Sequence, residues 1–127
     1  MSPNTHLSIH PALVGAPVSI SDGEAVASLR TTPEMAADAV GLVHGGFVFG
    51  LADYAAMLVV NHPNVVLGSA ETRFVAPVRV GETVVARATR VEASGRKHRI
   101  EVTAAVGDQV VLTGLFTAFV LDGHVLG

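Results

Sequence analysis

The chain has 127 residues, 50% hydrophobic and only 15% charged, with a net charge of −3. That is one domain with enough apolar material for a real core, and its mixed acids and bases exclude a nucleic-acid face. With no cysteine, a disulfide framework and thiolate chemistry are excluded too.

Residues 1–15 carry Pro3 and Pro11 and little periodicity. They are expected to be a flexible start with a short helical turn at Pro11–Val14. They lack a basic region followed by a long apolar core, so a signal peptide is not expected. Pro17–Ser21 and Glu24–Thr31 alternate in the manner of strands, and Asp22-Gly23 between them is a hairpin signal. Thr32–Val43 is a loop or a loose helical turn. Gly45–Asn61 contains no proline, and Pro63 follows just past its end, as at a helix terminus. Gly50 inside this helix costs about 1 kcal/mol relative to alanine, a sacrifice that would let another backbone approach. The helix is interrupted by Asp53 and is too short to span a bilayer, which needs about 20 apolar residues. No membrane partner is expected, and the location is expected to be cytoplasmic.

The remainder reads as β-structure. Val65–Val75 is followed by the turn Val80-Gly81-Glu82, and Thr83–Ala93 by the turn Ser94-Gly95-Arg96. In Lys97–Val106, Ile100, Val102, Ala104 and Val106 share one side while Arg99, Glu101 and Thr103 share the other. After Gly107-Asp108, Gln109–Leu121 is apolar on both faces and reads as a central strand. The expected architecture is a single α+β domain over residues 1–127, with one long helix set against a mainly antiparallel sheet.

Chemistry concentrates at the helix. Its N-terminus offers unpaired backbone N–H groups with partial positive charge, and Gly45 and Gly46 leave that backbone uncovered. A carbonyl oxygen that becomes an oxyanion during acyl transfer suits such a place; the alternative is that the glycines only permit a tight turn and close packing. Asp53 lies in an apolar stretch, where a carboxylate needs a partner or a function unless it faces solvent. Eight residues separate it from Gly45, or about 12 Å along a helix, so one carbonyl cannot touch both in one chain. A shared substrate would therefore require a dimer with antiparallel helices. The low surface charge points the same way.

His44 is a candidate general base; otherwise its ring ties down the preceding loop by hydrogen bonds. Asp38 is either an exposed loop acid or a second polar group beside the reacting centre. Arg73, Arg96 and Lys97 are solvated cations or contacts for the phosphates of coenzyme A. The other histidines lack metal-ligand spacing, and no metal is expected. Phe47, Tyr54, Met57 and Leu58 are expected to line an acyl pocket.

Val43-His44-Gly45-Gly46, Leu51-Ala52-Asp53, and Glu71-Thr72-Arg73-Phe74-Val75-Ala76-Pro77-Val78 before Gly81-Glu82 together resemble hotdog-fold acyl-CoA thioesterases of the phenylacetate-pathway (PaaI-like) type. The resemblance spans about residues 40–120. It implies one long central helix wrapped by a five- to six-stranded antiparallel sheet, in homodimers and often homotetramers. It implies that the Gly45 N–H polarises the thioester carbonyl and that Asp53 of the opposing subunit acts as general base or nucleophile. Coenzyme A would enter only as part of the substrate, with no separate cofactor. Many members carry asparagine six residues before the histidine, where this chain has Asp38, which accepts but cannot donate when ionised. Gly95-Arg96 is similar to a turn that meets coenzyme A in relatives. A polar residue that some members place at the start of the next strand falls near Leu67 or Ser69. The sheet half also resembles the effector domain of the malonyl-CoA-responsive repressor of fatty-acid synthesis, which implies acyl-CoA binding without hydrolysis. The Asp and His spacing of hotdog hydratases is absent.

Overall fold

The apolar run after His44 folds as one helix, α2 (Gly45–Val60), in the computed structural model, which describes Met1–Gly127. His44 is extended at its N-terminus, with φ −62° and ψ 130°. Asn61 stops the helix in a left-handed conformation (φ 51°), and its N–H donates to the Met57 carbonyl. Buried residues occur all round α2, Leu51, Ala52, Ala55, Ala56, Met57 and Leu58 among them. A helix apolar on every side must be enclosed. Each large side chain buried on it contributes about 1.5–3 kcal/mol.

The enclosure is one six-stranded sheet of β1 (Ala16–Ser21), β2 (Glu24–Arg30), β3 (Val65–Phe74), β4 (Thr83–Ser94), β5 (Lys97–Val106) and β6 (Gln109–Val120). Its spatial order is β1-β2-β4-β5-β6-β3, and every pairing is antiparallel. Period-2 alternation puts Val84, Ala86 and Ala88 of β4, and Ile100, Val102 and Ala104 of β5, on the buried side against α2. Arg87, Glu101 and Thr103 stand on the exposed side. β6 lies between β5 and β3, as its two apolar faces suggested, and buries Leu112, Phe116 and Ala118. The β4–β5 hairpin turns at Gly95-Arg96, with Gly95 at φ +59°. A bulge in β3 falls between Leu67 and Ser69. There Phe119 lies over Gly68 so closely that an added Cβ would sit 2.4 Å from its ring.

Residues 1–15 follow a path beside α2 marked by a few contacts with the rest of the domain. The N-terminal ammonium donates to the Ile20 carbonyl, the Asn4 N–H donates to Asn61 Oδ1, and Asn61 Nδ2 donates to the Ser2 carbonyl. The His6 ring lies 5.8 Å from the Tyr54 ring. The short helix α1 (Pro11–Val14) then packs on α2, where Val14 reaches the Gly50 position. A Cβ at Gly50 would meet Val14 Cγ1 at 3.7 Å, an ordinary contact. The backbone approach expected at Gly50 is therefore absent within this protomer.

Candidate active site

The loop from Thr32 to Val43 fixes where α2 begins. It contains a 3-10 turn at Pro33–Met35 and two bridges, Ala36 with Val43 and Leu42 with Arg79. His44 N–H donates to the Met35 carbonyl and Val43 N–H to the Val78 carbonyl, so the helix start is tied to both flanking segments. Asp38 stabilises the bend. Its Oδ1 accepts from the Val40, Gly41 and Leu42 N–H groups at 2.9, 3.0 and 3.2 Å. The Leu42 and Val40 bonds hold its carboxyl below the usual carboxylate range.

Phe47 N–H donates to the His44 carbonyl, whereas the Gly45 and Gly46 N–H groups donate to no protein acceptor. Two amide donors are thus open at the positive end of a 16-residue helix. The His44 ring is exposed, packs edge-on to Phe47 at 6.3 Å, and makes no hydrogen bond. The loop-tying role expected for that ring belongs to its backbone N–H. The ring also lies against Gly46, where an added Cβ would sit 3.0 Å from it.

Asp53 is partly buried, and its Oδ1 is buried without a hydrogen-bond partner. Burial raises its pKa from 3.8 to about 6. A carboxylate kept in an apolar setting with its proton affinity raised suits general-base work near neutral pH. β3 offers it no polar group at the position anticipated from sequence. Leu67 has the inward register opposite Ala118, and Ser69, beyond the bulge, is exposed.

An apolar cleft of about 350 Å³ opens beside Gly45, walled by Leu42, Val48, Phe74, Val78 and Val111. A Cβ on Gly45 would come within 3.1 Å of the Phe74 ring. Phe47, Tyr54, Met57 and Leu58 do not line this cleft. Tyr54, Met57 and Leu58 belong to the buried core, and Phe47 packs half-buried against it. Asp38 borders a neighbouring hollow of about 340 Å³ that shares the wall formed by Leu42, Pro77 and Val78.

The candidate cations are elsewhere. Arg73 stands on the sheet face away from α2, in an open depression with Glu71 and Glu101. Arg96 pairs with Asp122 at 2.5 Å, and Lys97 beside it is exposed. The Arg96 carbonyl accepts from Val120, and the Asn64 carbonyl from Leu121, which sets this turn near the C-terminal end of α2. Within one protomer, therefore, Gly45 and Gly46 stand at one end of the helix, Asp53 at its middle, and Gly95, Arg96 and Lys97 at the other end. Two further nitrogens had no sequence signal. Arg90 reaches the Val59 carbonyl through Nη2 at 3.2 Å while its Nε is buried and unpaired, as is His98 Nδ1. No group of three or more His, Asp or Glu side chains is arranged to hold a metal.

The family model of the thioesterase superfamily matches residues 40–113. A crystal structure of an uncharacterized protein from Pyrococcus horikoshii is 50% identical, with a TM-score of 0.98 over 100% of this chain and 98% of that one. A variant of phenylacetic acid degradation protein PaaI from Thermus thermophilus is 31% identical, with a TM-score of 0.79 over 87% of this chain and 96% of that one. The chain belongs to the thioesterase superfamily and is a hotdog protein of the PaaI-like type. Among curated proteins, it is 46% identical over 96% of its length to methylthioribose-1-phosphate isomerase from Aquifex aeolicus, but spans only 27% of that protein. It is 33% identical over 79% of its length to transcription factor FapR from Shouchella clausii, and spans 52% of that protein.

Proposed function

We propose that this chain is an acyl-CoA thioesterase whose site is shared by two subunits. The observation that carries the proposal is the pairing of two unsatisfied features on one helix: open Gly45 and Gly46 amides at its start, and a partly buried, unpaired Asp53 at its middle. Both are what thioester hydrolysis needs, and they stand too far apart for one substrate carbonyl. An antiparallel partner helix brings the Asp53 of one subunit to the Gly45 of the other. The same operation carries the Gly95-Arg96-Lys97 turn of one subunit toward the helix start of its partner, where the phosphates of coenzyme A could meet it. Arg73, on the outer sheet face, takes no part in this reading.

In the reaction, Asp53 accepts a proton from water as the water oxygen attacks the thioester carbon. The carbonyl oxygen becomes an oxyanion held by the Gly45 and Gly46 N–H groups. The C–S bond then breaks, the sulfur leaves with a proton, and the products are a carboxylate and free coenzyme A. Direct attack by Asp53 through an acyl-enzyme anhydride uses the same geometry. His44 and Asp38 shape the loop that sets the helix start. No metal or separate cofactor enters, and the working unit is a cytoplasmic homodimer or a homotetramer built from it. No helix of this chain is long and apolar enough to cross a membrane.

The FapR likeness favours a second reading, in which the chain binds an acyl-CoA without turnover. Thiol release from a panel of acyl-CoAs, run with wild type and Asp53→Ala, separates the two. Turnover lost in the variant supports hydrolysis. Saturable binding without turnover in wild type supports the second reading.

A further inference from the structure

We infer that the cleft beside Gly45 takes the acyl group, that it selects an uncharged apolar acyl of short to medium length, and that Phe74 sets that length. The inference rests on the Gly45 end of α2 holding the thioester carbonyl, as proposed above. An acyl group leaves its carbonyl carbon within one bond of that oxygen, so its chain must enter a space contiguous with the open Gly45 amide. The cleft has Gly45 in its wall, and the rest of its ten-residue lining is carbon-rich: Leu42, Val48, Val75, Val78 and Val111 face it, and none of the lining residues is ionisable. A carboxylate at the tip of the acyl chain would find no cation and no partner there, which penalises dicarboxylic acyl groups strongly. At about 350 Å³ the space is at the small end of ligand sites.

Phe74 is the wall nearest the reacting end. A Cβ on Gly45 would meet the Phe74 ring first among groups beyond its chain neighbours, yet the residue remains 56% exposed. Within one protomer it therefore stands at the mouth of the cleft and beside the carbonyl seat at once. Val75 and Leu42, 54% and 43% exposed, continue the same apolar rim. Solvent-facing hydrophobics gathered round one cleft mark a surface that something apolar covers.

The test uses non-hydrolysable CoA thioethers, so binding is read without turnover. S-butyl-, S-octyl- and S-dodecyl-CoA are compared with a carboxyl-tipped thioether of octyl length by calorimetry, on wild type, Phe74→Ala and Ala76→Leu. Wild type is expected to bind S-octyl-CoA at least a hundredfold more tightly than its carboxyl-tipped counterpart. Affinity should rise about fourfold per added methylene until the cleft is full. Phe74→Ala should move that plateau to longer chains, and Ala76→Leu to shorter ones. Equal binding of the carboxyl-tipped ligand, or a plateau that neither variant moves, overturns the inference. So does a Phe74→Ala protein that dissociates on sedimentation with an unchanged chain-length profile, because a second copy would then be what covers the rim. If the binding pattern holds and the matching acyl thioesters are not hydrolysed, the cleft assignment stands and the hydrolytic reading falls.

Discussion

Replacing Asp53 by asparagine should remove a pH-dependent loss of stability and abolish the proposed thioester hydrolysis. The magnitude follows from the site. Burial raises the Asp53 pKa from 3.8 to about 6, a shift of about 2 pH units, or about 3 kcal/mol at most. The folded state binds the proton more tightly than the unfolded state, so the sign is opposite to that of a salt-bridged carboxylate. The stabilising contribution is fully present below pH 3.8 and is lost as pH rises through about 6. Wild type thus loses up to about 3 kcal/mol across that window, and Asp53→Asn does not. The amide has its own burial penalty, but that penalty is independent of pH and cancels when two pH values are compared. Urea unfolding at pH 4 and pH 7.5, at one protein concentration, gives the difference. The stability of Asp53→Asn relative to wild type should rise by about 2–3 kcal/mol between the two. An unchanged difference, or a change of the opposite sign, would refute an Asp53 held in an apolar setting.

Other consequences are open to simpler measurements. If Asp53 is the general base, kcat/KM should fall about tenfold per unit below pH 6, and a profile flat to pH 5 would contradict that role. Gly50→Ala should raise stability by up to about 1 kcal/mol, because the new methyl group meets Val14 at an ordinary distance; a lower melting temperature would mean that a subunit contact crowds Gly50. Asp38→Ala should speed amide exchange at Val40, Gly41 and Leu42 at least tenfold, while Asp38→Asn keeps them protected, since its amide oxygen can still accept all three bonds. Phe116→Ala, at a fully buried position of β6, should cost about 3–5 kcal/mol in urea unfolding.

The strands and the helix were legible because their signals are local. The alternation of Ile100, Val102 and Ala104, the Asp22-Gly23 turn and Pro63 after the helix each act over a few residues. The helix start was legible from Gly45-Gly46, and Asp53 from a lone acid in apolar surroundings. The cleft beside Gly45 was not. In a helix apolar all round, sequence cannot say which of Phe47, Tyr54, Met57 and Leu58 faces a cavity. Within one protomer three of the four lie in the core, and this cleft opens against the Phe74–Val78 segment, whose path depends on tertiary packing. The placement of residues 1–15 was equally hidden, because hydrogen bonds from Asn61 and one His6–Tyr54 contact hold it, none of which leaves a periodic trace. The pairing of Arg96 with Asp122 was hidden too, because the two lie 26 positions apart and meet only through the β5–β6 pairing.

A site shared between subunits is tested most directly by complementation. Gly45→Pro removes the N–H at the first helical position, where the backbone suits proline after an extended His44 and where the Phe74 ring must shift a little to admit its Cβ. Asp53→Ala removes the acid. Each variant alone should be inactive. When the two are unfolded together and refolded at equal amounts, half the dimers are mixed, and each mixed dimer carries one intact pair of Gly45 and Asp53. Thioester hydrolysis should return to about one quarter of the wild-type rate. A mixture as inactive as its parts, with mixed dimers shown to be present, would contradict a site built from two chains.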